Sequence, residues 1–121
     1  MKKKILIVDD APIIRLMLSD ILNGAGYEVV GEAANGNEGV KKFTECNPDL
    51  VTLDIVMPEK DGIQTLEEIL KLSPNARVVM ISAIDQRESL LKAIKLGAKD
   101  YIIKPFENSR VVAAIEKILE N

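Results

Sequence analysis

The sequence predicts an α/β fold, a doubly wound five-stranded parallel sheet with helices on both faces. Three observations predict it. Five short runs rich in β-branched and aliphatic residues alternate strictly with longer stretches of helical period. Three of those runs are almost continuously apolar, as central strands covered on both faces must be. Finally, 121 residues with 47% hydrophobic and 29% charged side chains suffice for one domain with a buried core and leave no room for a second.

Each element has its own signature. The strand runs are KILIV (4–8), YEVVGEA (27–33), DLVTL (49–53), RVVMIS (77–82) and DYIIK (100–104). Glu28 and Gly31 interrupt the second run, which suits an edge strand. The first helix carries Ile14, Met17, Leu18, Ile21 and Ala25 at i, i+3, i+4, i+7 and i+11. Asp10 is positioned to cap it, Pro12 falls in its first turn, and Gly24 and Gly26 end it. Middle helices are expected to begin near Asn35, Gly62 and Asp85, the last of these stopping at Gly97. Val111, Val112, Ile115, Ile118 and Leu119 share one face of a final helix. The turns NPD and SPNA supply Pro and Asn where the chain reverses.

Composition excludes several classes of function. A net charge of −3 argues against nucleic-acid binding, and the basic cluster Lys2–Lys4 is a short solvated fringe. No apolar run approaches the roughly 20 residues of a membrane span, and the run after the lysines is broken at once by Asp9, unlike a signal peptide. The lone Cys46 cannot form an internal disulfide. A soluble, cytoplasmic, monomeric protein is expected. The chain contains no histidine, so imidazole-based catalysis and histidine metal sites are excluded, leaving carboxylate, hydroxyl and ammonium chemistry.

That chemistry gathers at one place. In open parallel sheets ligands sit beyond the carboxyl ends of the strands, where strand order reverses. Asp9 and Asp10 follow the first run, Asp54 the third, and Ser82 and Lys104 end the fourth and fifth. Each could serve structure alone: Asp10 as a helix cap, Asp54 as the start of a turn, Ser82 as a cap, Lys104 as an extended residue before Pro105. Taken singly, the structural role is the better explanation of each. Together they would require four independent accidents at the same sheet edge.

Three carboxylates converging at about 4 Å repel by several kcal/mol per pair at an effective dielectric near 20, so a hard divalent cation is their natural partner. Mg²⁺ fits, because it takes oxygen ligands and combines one or two carboxylates with phosphate oxygens. A neighbouring ammonium and hydroxyl complete an apparatus for holding a phosphoryl group, with one carboxylate as nucleophile. Asp54, central and unpaired in sequence, is the candidate.

VDD at 8–10, LDIVMPEKDG at 53–62, ISA at 81–83 and KPF at 104–106 resemble the signature set of the receiver domains of two-component response regulators, in the family's order along the whole chain. With no output domain expected after it, the chain, residues 1–121, is most similar to the single-domain chemotaxis regulators. The resemblance implies a flavodoxin-like (βα)5 fold with strand order 2-1-3-4-5. It implies that Asp54 accepts a phosphoryl group from a histidine kinase, and that Asp10, Asp54 and the backbone carbonyl of Val56 bind Mg²⁺, with Asp9 acting mainly through water. Lys104, preceding a proline in a bond often cis in the family, would pair with the phosphoryl group. Ser82 would swing towards it, assisted by the backbone N–H of Ala83.

The same resemblance implies a route for the signal. The shift of Ser82 would favour an inward rotamer of Tyr101 and so alter the surface formed by the fourth helix, fifth strand and fifth helix, where Leu90 and Ile103 are candidate contacts. Val56 and Ile84 occupy the positions that tune acyl phosphate lifetime in the family. Neither can orient water, so slow self-dephosphorylation and a separate phosphatase are expected. The partner expected downstream is a flagellar motor switch protein, with a phosphorelay intermediate serving a histidine phosphotransfer protein as the alternative. Three other readings fit less well. A magnesium-dependent aspartyl phosphatase of the haloacid dehalogenase type needs a second Asp two residues after the nucleophile, where Val56 stands. A flavin-binding protein wants a hydroxyl-rich loop where this chain has DDAP, and a pseudo-receiver would lack an acceptor-site residue. The chain is therefore expected not to be an enzyme beyond assisting its own phosphorylation and dephosphorylation.

Overall fold

The computed structural model describes residues 1–120. Strands β1 (Lys4–Val8), β2 (Glu28–Ala33), β3 (Leu50–Leu53), β4 (Val78–Ala83) and β5 (Asp100–Lys104) form one sheet in the order 2-1-3-4-5, with every pairing parallel. They alternate with α1 (Pro12–Gly24), α2 (Gly36–Cys46), α3 (Gly62–Leu72), α4 (Arg87–Leu96) and α5 (Asn108–Glu120), and a 3-10 turn at Ile84–Gln86 leads into α4. This is the flavodoxin-like doubly wound arrangement. The interrupted run 27–33 lies at an edge, as its composition predicts. Strand order reverses between β1 and β3, which fixes where a ligand crevice belongs.

The sheet sorts its side chains by the two-residue period of a strand. Leu6, Val8, Val51, Leu53, Val78 and Met80 point to one face and pack with Phe43 of α2, Leu66 and Ile69 of α3, and Leu90 and Ala93 of α4. Ile5, Ile7, Leu50, Val79, Ile81 and Ile102 point to the other and meet Leu18 and Leu22 of α1 and Val111, Ala114 and Ile115 of α5. Full burial of one such aliphatic side chain stabilises by about 1.5–3 kcal/mol, so the two layers hold the strand ends rigidly in register. Among the described residues no helix is long and apolar enough to cross a membrane.

The helix starts differ in how they are closed. Asn35 caps α2 by accepting from the Glu38 N–H at 2.8 Å, and the Glu38 carboxylate in turn accepts from Ala34 N–H. Asp61 and Gln64 form a reciprocal capping box at the start of α3. The first helix departs from expectation. Its cap residue is Ala11, not Asp10, and no side chain caps it; the carboxylate of Asp9 accepts the Ala11 N–H at 2.9 Å instead, because Asp9 is the residue turned inward at the strand end. Its buried stripe is also rotated from the expected one: Leu18 and Leu22 are buried, whereas Met17 is exposed and Ala25 lies outside the helix as an exposed cap residue.

Candidate functional site

The strand ends bring the distant polar residues together. Val8 of β1 is paired with Leu53 of β3, so the chain leaves both strands side by side, and Asp54 N–H donates to the Val8 carbonyl at 3.0 Å. Asp9, on the other flank, donates its N–H to Ala33 of β2 at 3.0 Å. Asp9, Asp10 and Asp54 consequently converge, each offering a carboxylate oxygen within 4.8 Å of the others. Asp9 and Asp54 are buried and Asp10 is exposed, so the cluster opens to solvent on the Asp10 side.

Lys104 closes the opposite flank. At the end of β5 its Nζ lies 2.9 Å from Asp9 Oδ2 and 3.5 Å from Asp54 Oδ2. The peptide bond to Pro105 is cis. In register, Ala83 is the partner of Lys104 and Ser82 of Ile103, which sets the Ser82 hydroxyl and the Ala83 backbone on the strand adjoining the ammonium. Ser82 is 1% exposed. A single ammonium faces three carboxylates here, and the deficit of positive charge acts on Asp54. Burial, then repulsion from Asp9 and to a smaller extent Asp10, pushes its carboxyl above the ordinary range against the opposing pull of Lys104 and the Ile55 N–H. That N–H donates to Asp54 Oδ1 at 2.8 Å. A set of hard oxygen donors only partly compensated by Lys104, open on one side, suits Mg²⁺ with retained waters.

The loop after Asp54 is held by close packing. Gly62 donates its N–H to the Ile55 carbonyl at 2.7 Å, and a Cβ at Gly62 would strike the Asp54 carbonyl oxygen and lie 2.6 Å from Ile55 Cα. Only glycine permits that approach. Val56 stands on the turn with its side chain exposed. Among the described residues no hydrogen-bond donor takes its backbone carbonyl. Glu59, in the same loop, adopts a left-handed backbone at φ 68°. Ile84 is 75% exposed on the turn after β4, so Val56 and Ile84 offer the site only apolar side chains.

The expected output surface is placed differently in one respect. Tyr101 is 40% exposed on β5, and Ile84, Arg87, Leu90, Leu91, Tyr101 and Ile103 line a cavity of about 290 Å³ beside it. Leu90, expected as a contact, is 2% exposed and belongs to the core, because the inward stripe of α4 runs through Leu90 and Ala93; Leu91 is the exposed leucine of that turn. Ile103 is half-buried at the cavity wall. Sequence reasoning also missed Arg15 and Glu32. The Arg15 guanidinium donates from Nη1 to the Asp9 carbonyl at 2.6 Å and from Nε to Glu32 Oε1 at 3.2 Å. No local pattern links residues 17 positions apart on a helix and an edge strand.

Comparison with known proteins agrees with this architecture. Residues 5–116 match the response regulator receiver domain family. The chain is 54% identical to the chemotaxis protein CheY of Thermotoga maritima, over 98% of each, and 52% identical to CheY of Bacillus subtilis, over 98% of this chain and 99% of that one. Among solved structures, the CheX–CheY–BeF3–Mg²⁺ complex of Borrelia burgdorferi superimposes with a TM-score of 0.92 at 36% identity, over 97% of this chain and 89% of the other. The chain belongs to the response regulator receiver domain family, within which it is similar over nearly its whole length to CheY chemotaxis proteins.

Proposed function

We propose that the chain, as a single receiver domain, accepts a phosphoryl group on Asp54 from a phosphohistidine of a partner kinase. The observation that carries this reading is the convergence of Asp9, Asp10 and Asp54 within 4.8 Å, with Lys104 reaching two of them. Asp10, Asp54 and the Val56 carbonyl would hold Mg²⁺ directly, with Asp9 acting through water. The metal supplies charge neutralisation for the phosphoryl oxygens. Oδ1 of Asp54 is held by Ile55 N–H, and Oδ2, beside Lys104, attacks phosphorus. The new O–P bond forms as the P–N bond of the donor breaks, and the leaving imidazole keeps the electron pair and takes up a proton. Lys104 then pairs with a phosphoryl oxygen, and the Ser82 hydroxyl and Ala83 N–H donate to another.

Movement of Ser82 is coupled to the rotamer of Tyr101 and hence to the surface of α4, β5 and α5. A partner can respond only if it binds the two states of that surface unequally. Likeness to CheY proteins supports chemotaxis and a flagellar motor switch as that partner, and the solved CheX complex of a relative supports a separate phosphatase. The apolar side chains of Val56 and Ile84 support a slow intrinsic loss of the phosphoryl group, since neither can orient water. Incubation with acetyl phosphate and Mg²⁺ followed by intact mass tests the reading: one phosphoryl group should be gained, and none by Asp54→Asn or in EDTA. Multiple turnover of phosphomonoesters without a stable adduct would instead indicate a phosphatase. Retention of a motor switch component, in preference to a histidine phosphotransfer protein, by the phosphorylated chain in a pull-down tests the output.

A further inference from the structure

Asp10 is the least supported member of the acidic cluster. It is exposed, and among the described residues its carboxylate takes part in no hydrogen bond or ion pair. Two neighbours repel it, so its position near them depends on the backbone that carries it. That backbone is the peptide joining Asp9 to Asp10, and its carbonyl oxygen receives the Arg15 guanidinium at 2.6 Å. The next N–H, of Ala11, is fixed by Asp9 Oδ1 at 2.9 Å. Arg15 is itself steadied by Glu32 of β2 at 3.2 Å, and its side chain is 19% exposed. One guanidinium therefore links α1, the turn after β1 and the edge strand, using separate donors of its fork in a way an ammonium cannot reproduce.

We infer that Arg15 is a positioning residue for the metal site: by clamping the Asp9 carbonyl it sets the plane of the Asp9–Asp10 peptide and holds the Asp10 carboxylate against its electrostatic repulsion. This rests on reading the acidic cluster as a magnesium site. Considered only as a nearby positive charge, Arg15 opposes the binding of a divalent cation, and its removal would tighten binding. As a positioning residue it has the opposite effect, because outer-shell contacts that orient ligands are typically worth about 10–100-fold in metal affinity. As mere fold glue between α1 and β2, it would alter stability and leave metal affinity unchanged.

Titration calorimetry with Mg²⁺ at fixed ionic strength, together with melting in EDTA, separates these roles. Arg15→Met should weaken Mg²⁺ binding by about tenfold or more. Glu32→Gln, which leaves the clamp on Asp9 in place, should change it by no more than about threefold, as expected on losing a half-exposed ion pair. Equal or tighter binding by Arg15→Met would overturn the inference, whatever happens to its melting temperature. Should that variant fail to fold in EDTA, Arg15→Lys is read in the same way: weaker binding supports the clamp, and unchanged binding overturns it. If the wild-type chain binds no Mg²⁺, the reading of the cluster itself falls, and this inference with it.

Discussion

Replacing Asp54 with Asn should stabilise the metal-free protein. At an effective dielectric of about 20, repulsion between Asp54 and Asp9 at the 4.8 Å bound of the cluster is about 3.5 kcal/mol, and attraction to Lys104 at 3.5 Å is about 4.7 kcal/mol. Those two effects nearly cancel. What decides the sign is the desolvation of a carboxylate only 6% exposed, which still costs several kcal/mol after relaxation, reinforced by the screened repulsion of Asp10. The Ile55 N–H offsets part of that cost with about 1.5 kcal/mol, and an Asn side-chain oxygen retains the bond. The expected gain is about 1–2 kcal/mol, a rise in midpoint of about 4–8 °C for a domain of this size. Melting of both proteins at neutral pH, low salt and with EDTA measures it. Mg²⁺ at 100 times its Kd should then stabilise the wild type by about 2.7 kcal/mol and the variant much less. An Asn variant of equal or lower stability in EDTA would refute the reasoning, since Lys104 would then outweigh burial and repulsion.

Three further outcomes are expected. Because the native Asp54 carboxyl is raised, the stability that its protonation confers is fully present below the unfolded-state pKa and is lost as pH rises through the native value; the advantage of Asp54→Asn should therefore shrink as pH falls from ~7 towards ~4, as paired melts in EDTA would record. Gly62→Ala should cost about 2–3 kcal/mol in denaturant unfolding and slow labelling by acetyl phosphate, because its Cβ drives into the backbone of Asp54 and Ile55. Phosphorylated wild type should persist well beyond a few seconds, and Val56→Asn with Ile84→Asn should shorten that lifetime about tenfold or more by offering polar groups to water; decay of the adduct followed by mass gives both numbers.

Much of this molecule is legible in its sequence because the signals are periodic or local. Apolar runs bounded by turns fix the strands, and the strict alternation fixes the parallel sheet. The rule that ligands gather at carboxyl strand ends points to Asp9, Asp10, Asp54, Ser82 and Lys104 before any coordinates are known. The failures share a physical cause. Asp10 and Asp9 are adjacent, and sequence cannot say which turns inward to take the Ala11 N–H. Leu90 and Leu91 are likewise adjacent, and α4 packs with Leu90 and Ala93 inward, which buries one leucine and exposes the other. Arg15 and Glu32 meet only because α1 crosses beside β2. Side-chain choice between neighbours and pairing across elements depend on tertiary geometry, whereas element type does not.

The central claim concerns which oxygen becomes covalently modified, and borohydride trapping tests it most directly. An aspartyl phosphate is an acyl phosphate, and borohydride reduces its carbonyl carbon to an alcohol with loss of phosphate, leaving homoserine in place of the aspartate. After treatment with acetyl phosphate and Mg²⁺, reduction and peptide sequencing by mass spectrometry, homoserine is predicted at position 54 alone. Homoserine at position 9 or 10, or a stable label that resists reduction and maps to Ser82, would contradict the account.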